Sequence, residues 1–357
     1  MKQDSIRDLL DKCLEDLENR IDPSIEDELH AEWLAFTSGQ FRGDFFRPGR
    51  KRQAPPAFTW PHIHINHAQK NEDAMLLSEY ASWSCNLALA CHSGLIMCVR
   101  SNYGTGILPS LFGTELFVMD EKLNTQQTTK PLPDLHSIQA AIERGIPPLT
   151  SGLGGKVLQT GRRLSEVAKR YPKISKYVHI YHPDLQSPMD AVELLWGSNL
   201  FLDIIDHPEL VHTMLRLVTD TYIRFIREWE KIIPPQDGHA IHWCVMHRGQ
   251  IMLRDDSAMN FSPAMYDEFI RPYDAEILKQ LGGGAVHFCG RGDHYIESCC
   301  QMEGLYAINM SQPEYNNMET IFHHTVDRGI QLLGLAAPVT AAALNRGRDL
   351  HNCVYSS

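Results

Sequence analysis

The sequence lacks the features of several large protein classes. It has no run of 18 apolar residues, so no segment is predicted to span a membrane. Its amino terminus, MKQDSIRDLLDKCLEDLENR, is charged throughout and is not predicted to be a secretory signal. Aspartate and glutamate (44) outnumber lysine and arginine (33), and the net charge of −11 argues against nucleic acid or an anionic membrane as the main partner.

Several catalytic motifs are also missing. The sequence contains no P-loop, no H-E-x-x-H zinc helix and no G-x-S-x-G nucleophile turn. No G-x-G-x-x-G follows the first predicted strand, which argues against an open sheet that binds a dinucleotide. The nine cysteines are an odd number in a chain without a predicted signal, and they are expected to be free thiols in a reducing cytoplasm.

Strand-like and helical segments alternate from about residue 60 onward. The β-type runs are at 62–65, 95–100, 177–181, 239–246, 285–289, 305–310 and 330–335, and LFVMD (116–120) is either an eighth strand or part of a hairpin insertion. This alternation predicts a parallel sheet, and seven or eight such units favour a closed barrel. The sequence is therefore interpreted as an α/β protein, a (β/α)8 TIM barrel spanning 58–357 with a helical appendage in residues 1–50.

The run AVHFCG carries a histidine and a cysteine two positions apart. Residues i and i+2 of a strand point the same way, so His287 and Cys289 are predicted to face one side at the end of a strand. The carboxyl ends of barrel strands hold the active site, and an imidazole nitrogen and a thiolate are zinc ligands. A buried histidine beside an inert thiol would give the same spacing. Further ligands are expected from Cys353, the best remaining thiol, or from His242 and His247.

Other predicted strands are also followed by polar residues. The segment HRGQIMLRDDSAMNFSP (247–263) is interpreted as a loop between a strand and a helix. Asp256, with Arg254 and Asp255, is predicted to face the cleft as a catalytic group. Residues at three other strand ends are predicted to bind a cofactor or substrate: Asn102, Asp184, Gln186 and Arg291.

Two longer segments resemble the uroporphyrinogen decarboxylase superfamily. NFSPAMYDEFIRPYDAEILKQLGGGAVHFCGRG (260–292) resembles the stretch that leads into a barrel strand of that superfamily. LLWGSNLFLDIIDHPELVHTMLRLVTDTYIRF (194–225) resembles its upstream helices. The resemblance covers roughly residues 60–340 and implies a distorted (β/α)8 barrel, often a homodimer, with a deep cleft at the carboxyl ends of the strands.

The site motif is closer to the corrinoid–thiol methyltransferases of the superfamily. Those enzymes have H-x-C-G where this chain has His287-Phe288-Cys289-Gly290, and their histidine and cysteine bind zinc together with a later cysteine. The resemblance thus implies Cys353 as the third ligand, although the usual G-C-G-I-P surroundings are absent there. True decarboxylases have R-Q-A-G-R-Y and an early aspartate, where this chain has RKRQAPP (50–56) and Asn102.

The resemblance implies zinc-dependent methyl transfer between a corrinoid and a thiol. The expected substrate is a small molecule, and the expected protein partner is a corrinoid protein. The alternative is decarboxylation of a tetrapyrrole or another carboxylated substrate, using Arg254, Arg291 and Asp256. A third hypothesis is a non-catalytic barrel that binds a corrinoid or tetrapyrrole protein. In the zinc hypothesis, Asp293 accepts a hydrogen bond from the other nitrogen of His287 or caps the next helix.

Overall fold

The protein is described by a computed structural model that covers residues 3–357. Within that range no helix is both long enough and apolar enough to cross a membrane. The helices are α1 (Gln3–Arg20), α2 (Pro23–Thr37), α3 (Ile65–Ala68), α4 (Glu72–Tyr80), α5 (Ala88–Ala90), α6 (Ile107–Leu111), α7 (Leu135–Arg144), α8 (Gly154–Ala168), α9 (Pro172–Tyr177), α10 (Pro188–Trp196), α11 (Leu200–Asp206), α12 (Pro208–Glu230), α13 (Pro263–Phe269), α14 (Arg271–Gln280), α15 (Ile296–Cys299), α16 (Met318–His324) and α17 (Ala337–Asn345).

Parallel strands form the centre of the fold. The strands are β1 (Cys98–Val99), β2 (Leu116–Phe117), β3 (Thr128–Thr129), β4 (His179–Ile180), β5 (His239–His242), β6 (Val245–Arg248), β7 (Ile251–Arg254), β8 (Gly284–Phe288), β9 (Leu305–Met310), β10 (Gln331–Leu335) and β11 (Val354–Ser356). A five-stranded parallel sheet has the order β11-β10-β9-β8-β7, and β1 pairs with β4 in a separate parallel sheet. The mixed α/β class with a parallel sheet is as predicted, whereas the closed barrel stays a prediction.

The two faces of the parallel strands pack against different layers. Alternate residues of a strand point to opposite faces. On one face Val286, Ile308 and Leu332 join the large core that includes α10, α12 and α14. The other face packs against the β5–β6 hairpin and forms a second core with it. The residues that the parallel strands and their ends contribute to this core are Cys98, Tyr181, Met252, Ala285, Ala307, Leu333 and Tyr355.

Helices α1 and α2 lie where the sequence predicted helices. Helix α1 packs against α4 and α9, and α2 packs beside the hairpin core through Trp33, whose indole N–H donates to the carbonyl of Gly94 at 2.8 Å. The buried guanidinium of Arg50 binds both carboxylate oxygens of Glu26 at 2.7 Å. A separate appendage that ends near residue 50 stays a prediction.

Three local predictions differ from the structure. Residues 239–246 were predicted as one strand, but β5 and β6 form an antiparallel hairpin with Trp243 and Cys244 at the turn. Such turns are usually marked by Asn-Gly or Asp-Gly, and neither is present here. The predicted loop at 247–263 contains β7, and the predicted strand at 62–65 precedes the short helix α3. The segment LFVMD belongs to the β2–β3 hairpin, the second of the two alternatives.

His242 and His247 of the hairpin are buried, and burial lowers the pKa of both, so they are neutral. The Nδ1 atom of His247 lies 2.9 Å from the carbonyl oxygen of Arg248, to which it must donate. Its Nε2 therefore accepts from Nδ1 of His242, at 2.8 Å. Burial lowers the pKa of His247 to about 4. These histidines bond to each other rather than to the thiol and imidazole of the H-x-C-G motif.

We expect His247→Gln to make the protein less sensitive to acid. Burial lowers the pKa of His247 from the ordinary 6.5 to about 4 in the folded protein, so its contribution to stability is present above pH 6.5 and is lost as the pH falls towards 4. Without that histidine, the free energy of unfolding should fall less steeply, by up to ~1.4 kcal/mol per pH unit. Urea unfolding at about pH 7.5, 6 and 5 measures this slope. Identical slopes in both proteins would contradict the prediction.

Candidate metal centre

The neighbouring parallel strands β7 and β8 bring three side chains that could bind a metal together at their carboxyl ends. In the β7–β8 register Arg254 pairs with His287, and the backbone N–H of Asp255 donates to the carbonyl of His287 at 2.8 Å. Asp256 therefore follows β7 where Cys289 follows β8. The ligand atoms of Asp256, His287 and Cys289 all lie within 4.8 Å of one another, and no other such group occurs among the described residues.

The distances from Nε2 of His287 to the other two ligand-type atoms suit a tetrahedrally coordinated metal ion. Nε2 of His287 lies 3.6 Å from Oδ1 of Asp256 and 3.5 Å from Sγ of Cys289. Bonds from zinc to oxygen, nitrogen and sulfur of about 2.0–2.3 Å at tetrahedral angles place ligand atoms about 3.3–3.7 Å apart. The backbone N–H of Cys289 also donates to Oδ1 of Asp256 at 3.0 Å. The donor set is thus consistent with a metal ion without large rearrangement.

Asn309 determines which nitrogen of His287 is free to bind a metal. The amide Nδ2 of Asn309 donates to the carbonyl of Leu333 at 2.7 Å, so its Oδ1 faces the imidazole. Nδ1 of His287 lies 2.6 Å from that oxygen and must carry the proton. Nε2 is then left with a lone pair directed toward Asp256 and Cys289. A fixed tautomer of this kind is typical of metal-binding histidines.

The protonation states suit a site that is completed by a cation. Burial lowers the pKa of His287, so the imidazole is neutral at physiological pH. Burial raises the pKa of Cys289, with a further contribution from Asp256, and its thiol lies 3.5 Å from Oγ of Ser311. The thiol therefore keeps its proton until a positive charge arrives, which is the usual behaviour of a cysteine ligand.

The loop that carries Asp256 is held by a buried carboxylate on α10. Oδ2 of Asp190 accepts the backbone N–H of Asp256 at 2.8 Å, and Oδ1 accepts that of Ser257 at 2.8 Å. Burial raises the pKa of Asp190, and the neighbouring Asp255 and Asp256 raise it further. Gln186, predicted from the sequence as a binding residue, lies beside Asp190 at 3.5 Å and belongs to this supporting layer.

Cys353 lies away from the group. Cys353 precedes β11, whereas Cys289 follows β8. The two thiols therefore lie at opposite ends of the parallel strands, one at the amino ends and the other at the carboxyl ends. Strands β8 and β11 are also three strands apart, or about 14 Å at the usual spacing. The thiol of Cys353 lies 3.2 Å from the carbonyl of His351. The third ligand-type side chain beside His287 and Cys289 is that of Asp256, and a ligand role for Cys353 stays a prediction of the resemblance.

Arg254 and Asp184 meet in a buried ion network beside the metal centre. Asp184 pairs with Arg254 through one oxygen and with Arg100 through the other. Arg254 is only 3% exposed, and it also donates to the carbonyl of Met252 at 3.0 Å. Asn102, predicted as a cofactor-binding residue, donates to Glu79 at 2.9 Å near the same strand ends. The network positions β1, β4 and β7 relative to one another.

Asp255 and Arg291 do not face the group. Asp255 is 1% exposed, and burial, offset in part by Ser187 and Asp274, raises its pKa to about 6. The exposed Arg291 pairs with Asp293 at 2.7 Å. Asp293 also accepts the backbone N–H of Asn317 at 2.8 Å. The bond expected between Asp293 and His287 is made by Asn309 instead.

Sequence reasoning missed Asn309 and Asp190. Asn309 is a polar residue inside the apolar run LYAINM, which is a usable signal for a buried hydrogen-bonding role. Asp190 lies in the first turn of α10 and looks like an ordinary helix-start residue. Its role depends on contact with a loop 66 residues away, and no local pattern predicts that contact.

The comparisons with known proteins show the fold. No protein-family model matches the sequence, and no curated protein matches it. Among solved structures, the chain is similar to a methyltransferase from Methanosarcina mazei, with a TM-score of 0.62. The two sequences are 16% identical, and the alignment covers 92% of each chain. The likeness therefore extends over nearly the whole length of both proteins.

Proposed function

We propose that the protein is a metal-dependent methyltransferase that moves a methyl group between a corrinoid and a thiol. The observation that carries the proposal is the convergence of Asp256, His287 and Cys289 within 4.8 Å. Zinc is the metal that an oxygen, nitrogen and sulfur set with an open fourth position suits best. A structural neighbour that is itself a methyltransferase supports methyl transfer in general terms. The resemblance of His287-x-Cys289-Gly290 to the corrinoid–thiol enzymes supplies the substrate classes.

Each residue of the centre has a role in this proposal. A zinc ion held there would lower the pKa of a substrate thiol bound at the open position. Asp256, His287 and Cys289 would hold the ion, and Asn309 keeps Nε2 of His287 deprotonated. The Asp256 side chain is 42% exposed, so it also faces the solution from which substrate arrives.

The transfer itself balances without a redox partner. The sulfur of the thiol forms a bond to the methyl carbon while the carbon–cobalt bond breaks, and its electron pair stays with the corrinoid. The thiol proton leaves to solvent.

The alternative, decarboxylation, requires arginines that are free to bind substrate carboxylates. Arg254 is paired with Asp184 and Arg291 with Asp293, so the geometry favours methyl transfer.

Methylcobalamin and 2-mercaptoethanol provide a direct test. The zinc-loaded protein should consume methylcobalamin, followed by its visible absorbance, and form the methyl thioether in equal amount. Chelation of the metal should abolish the reaction, and added zinc should restore it. Turnover that is unchanged by complete metal removal would overturn the zinc proposal. Absence of thioether with several small thiols would overturn methyl transfer to a thiol.

We expect Asp256→Asn to weaken zinc binding much more than it weakens the fold. The change replaces an anionic ligand by a neutral amide, and we expect a loss of affinity on the order of 100-fold, or ~2.7 kcal/mol. Asp267→Asn is a matched control, because the Asp267 side chain is 47% exposed but pairs with Arg271 outside the centre. Competition with a chromophoric chelator measures the affinity. Equal affinities for the two variants would remove Asp256 from the ligand set.

The finer architecture is also proposed. We infer that the two parallel sheets form the wall of one (β/α)8 barrel, supported by the core that their inner faces share. A separate helical segment in residues 1–50, a homodimer and a cytoplasmic location are further expectations from the sequence.

A further inference from the structure

The β5–β6 hairpin packs against one face of the parallel strands. Its residues Ile241, Cys244 and Met246 pack in one core with inner-face residues of β1, β7, β8, β9, β10 and β11. The inner-face residues of β8 and β9 at this level are the small Ala285 and Ala307, both fully buried. Small side chains there leave room for a second layer of backbone. The hairpin therefore covers this face of β8 and β9, and its turn reaches His287 through Trp243.

The tip of the hairpin has an unfavourable backbone conformation. Trp243 and Cys244 both have positive φ, at 45° and 66°. For residues other than glycine this left-handed conformation is unfavourable, because the Cβ atom comes too close to the following carbonyl oxygen. Contacts with β1 hold the turn: the Cys244 carbonyl accepts the N–H of Ile96 at 2.9 Å, and its Sγ lies 3.4 Å from Sγ of Cys98. Strain held in place by surrounding structure is common at functional sites.

The strained turn places the Trp243 indole directly beside the metal centre. Its ring meets the ring of His287 edge to face, with centroids 4.9 Å apart and an interplanar angle of 76°. The guanidinium of Arg254 lies 4.7 Å from the indole centroid. Trp243 is partly exposed, whereas Cys244 behind it is completely buried. The indole thus lies between the ring of His287 and the buried part of the hairpin turn.

We propose that Trp243 is a specificity-determining residue that sets how long an alkyl group a bound substrate can have. This inference rests on the proposed function, since it concerns the thiol at the open metal position. A thiol bound at the open position would place its alkyl group near the imidazole of His287 and the indole of Trp243. The indole against His287 limits the depth available to that group. Removing the indole opens space between the cleft and the hairpin tip, so longer alkyl chains gain apolar contacts at roughly 0.8 kcal/mol per methylene.

The test uses the protein loaded with cobalt(II) in place of zinc. Ethanethiol and 1-butanethiol are titrated separately, and binding is followed by the sulfur-to-cobalt absorption band. In Trp243→Ala the preference for 1-butanethiol over ethanethiol should rise about 15-fold relative to the unmodified protein, the value that two buried methylenes give. Trp243→Phe should show a smaller rise. Trp83→Ala, at a tryptophan that is 50% exposed elsewhere on the surface, should leave the preference unchanged.

The outcomes separate the two proposals. An unchanged preference in cobalt-loaded Trp243→Ala would overturn the role of Trp243 and leave the metal centre standing. If Trp243→Ala does not fold, Trp243→Phe decides in the same way. Cobalt that fails to bind the original chain, or thiols that give no band with it, would overturn the proposed function together with this inference.

Discussion

Cys289→Ala is expected to reduce bound zinc from about one ion per chain to a trace, whereas Cys353→Ala should retain it. Loss of the Cys289 sulfur leaves one carboxylate and one imidazole, and two protein ligands hold zinc poorly. Cys353 offers a matched thiol, because both cysteines are partly buried and free. The resemblance to the methyltransferases implied Cys353 as a ligand, so this pair of variants also decides between that assignment and Asp256.

The measurement is elemental analysis of protein purified with zinc present and then mildly chelated. Thermal unfolding of each variant shows whether the fold is kept. Equal zinc in the original chain and in Cys289→Ala would leave His287 and Cys289 as ordinary buried residues and bring decarboxylation forward. Loss of zinc in Cys353→Ala with an intact fold would mean that Cys353 reaches the ion in solution.

Arg254→Met should lower the free energy of unfolding by roughly 3–5 kcal/mol, the range for breaking a buried ion pair. Burial lowers the pKa of Arg254 to about 10, so the guanidinium remains charged at neutral pH. Methionine keeps much of the volume but removes the pairing with Asp184, the bond to Met252 and the stacking on Trp243. Arg100 alone would then face the Asp184 carboxylate.

An exposed ion pair provides the control for this prediction. Lys51 pairs with Glu28, and these side chains are 69% and 46% exposed. Lys51→Met should change stability by less than about 1 kcal/mol, because solvent screens such pairs. Urea unfolding at neutral pH compares both variants. A change for Arg254→Met as small as that for Lys51→Met would mean that the Asp184 network does not hold the strand ends together.

The sequence predicted the parts of the fold that depend on local periodicity. Strands β8, β9 and β10 and helices α1 and α2 lie within a residue or two of their predicted positions. The adjacency of His287 and Cys289 followed from the strand period alone. The position of Asp256 beside them did not follow from the sequence. Asp256 was predicted as a catalytic group, and its distance to His287 depends on the β7–β8 register.

The hairpin was the main failure of sequence reasoning. Residues 239–246 form one short, largely apolar run like a buried strand, and a turn made of Trp243 and Cys244 has no glycine, asparagine or proline to mark it. The turn is stabilised by contacts with residues about 145 positions earlier in the chain, such as Cys98. Because the turn was not predicted, β7 was interpreted as part of a loop, and the position of Trp243 beside His287 was not predicted.

The pairing of Phe46 with Tyr355 has a consequence for how the chain folds during synthesis. The Phe46 backbone N–H donates to Val354 at 2.8 Å, and its carbonyl accepts from Ser356 at 2.9 Å. These contacts join segments that are some 300 residues apart, so they cannot form until residues 354–356 have been synthesised. The β5–β6 hairpin is made of residues 239–248, so it can form during synthesis before Phe46 and Tyr355 are able to pair.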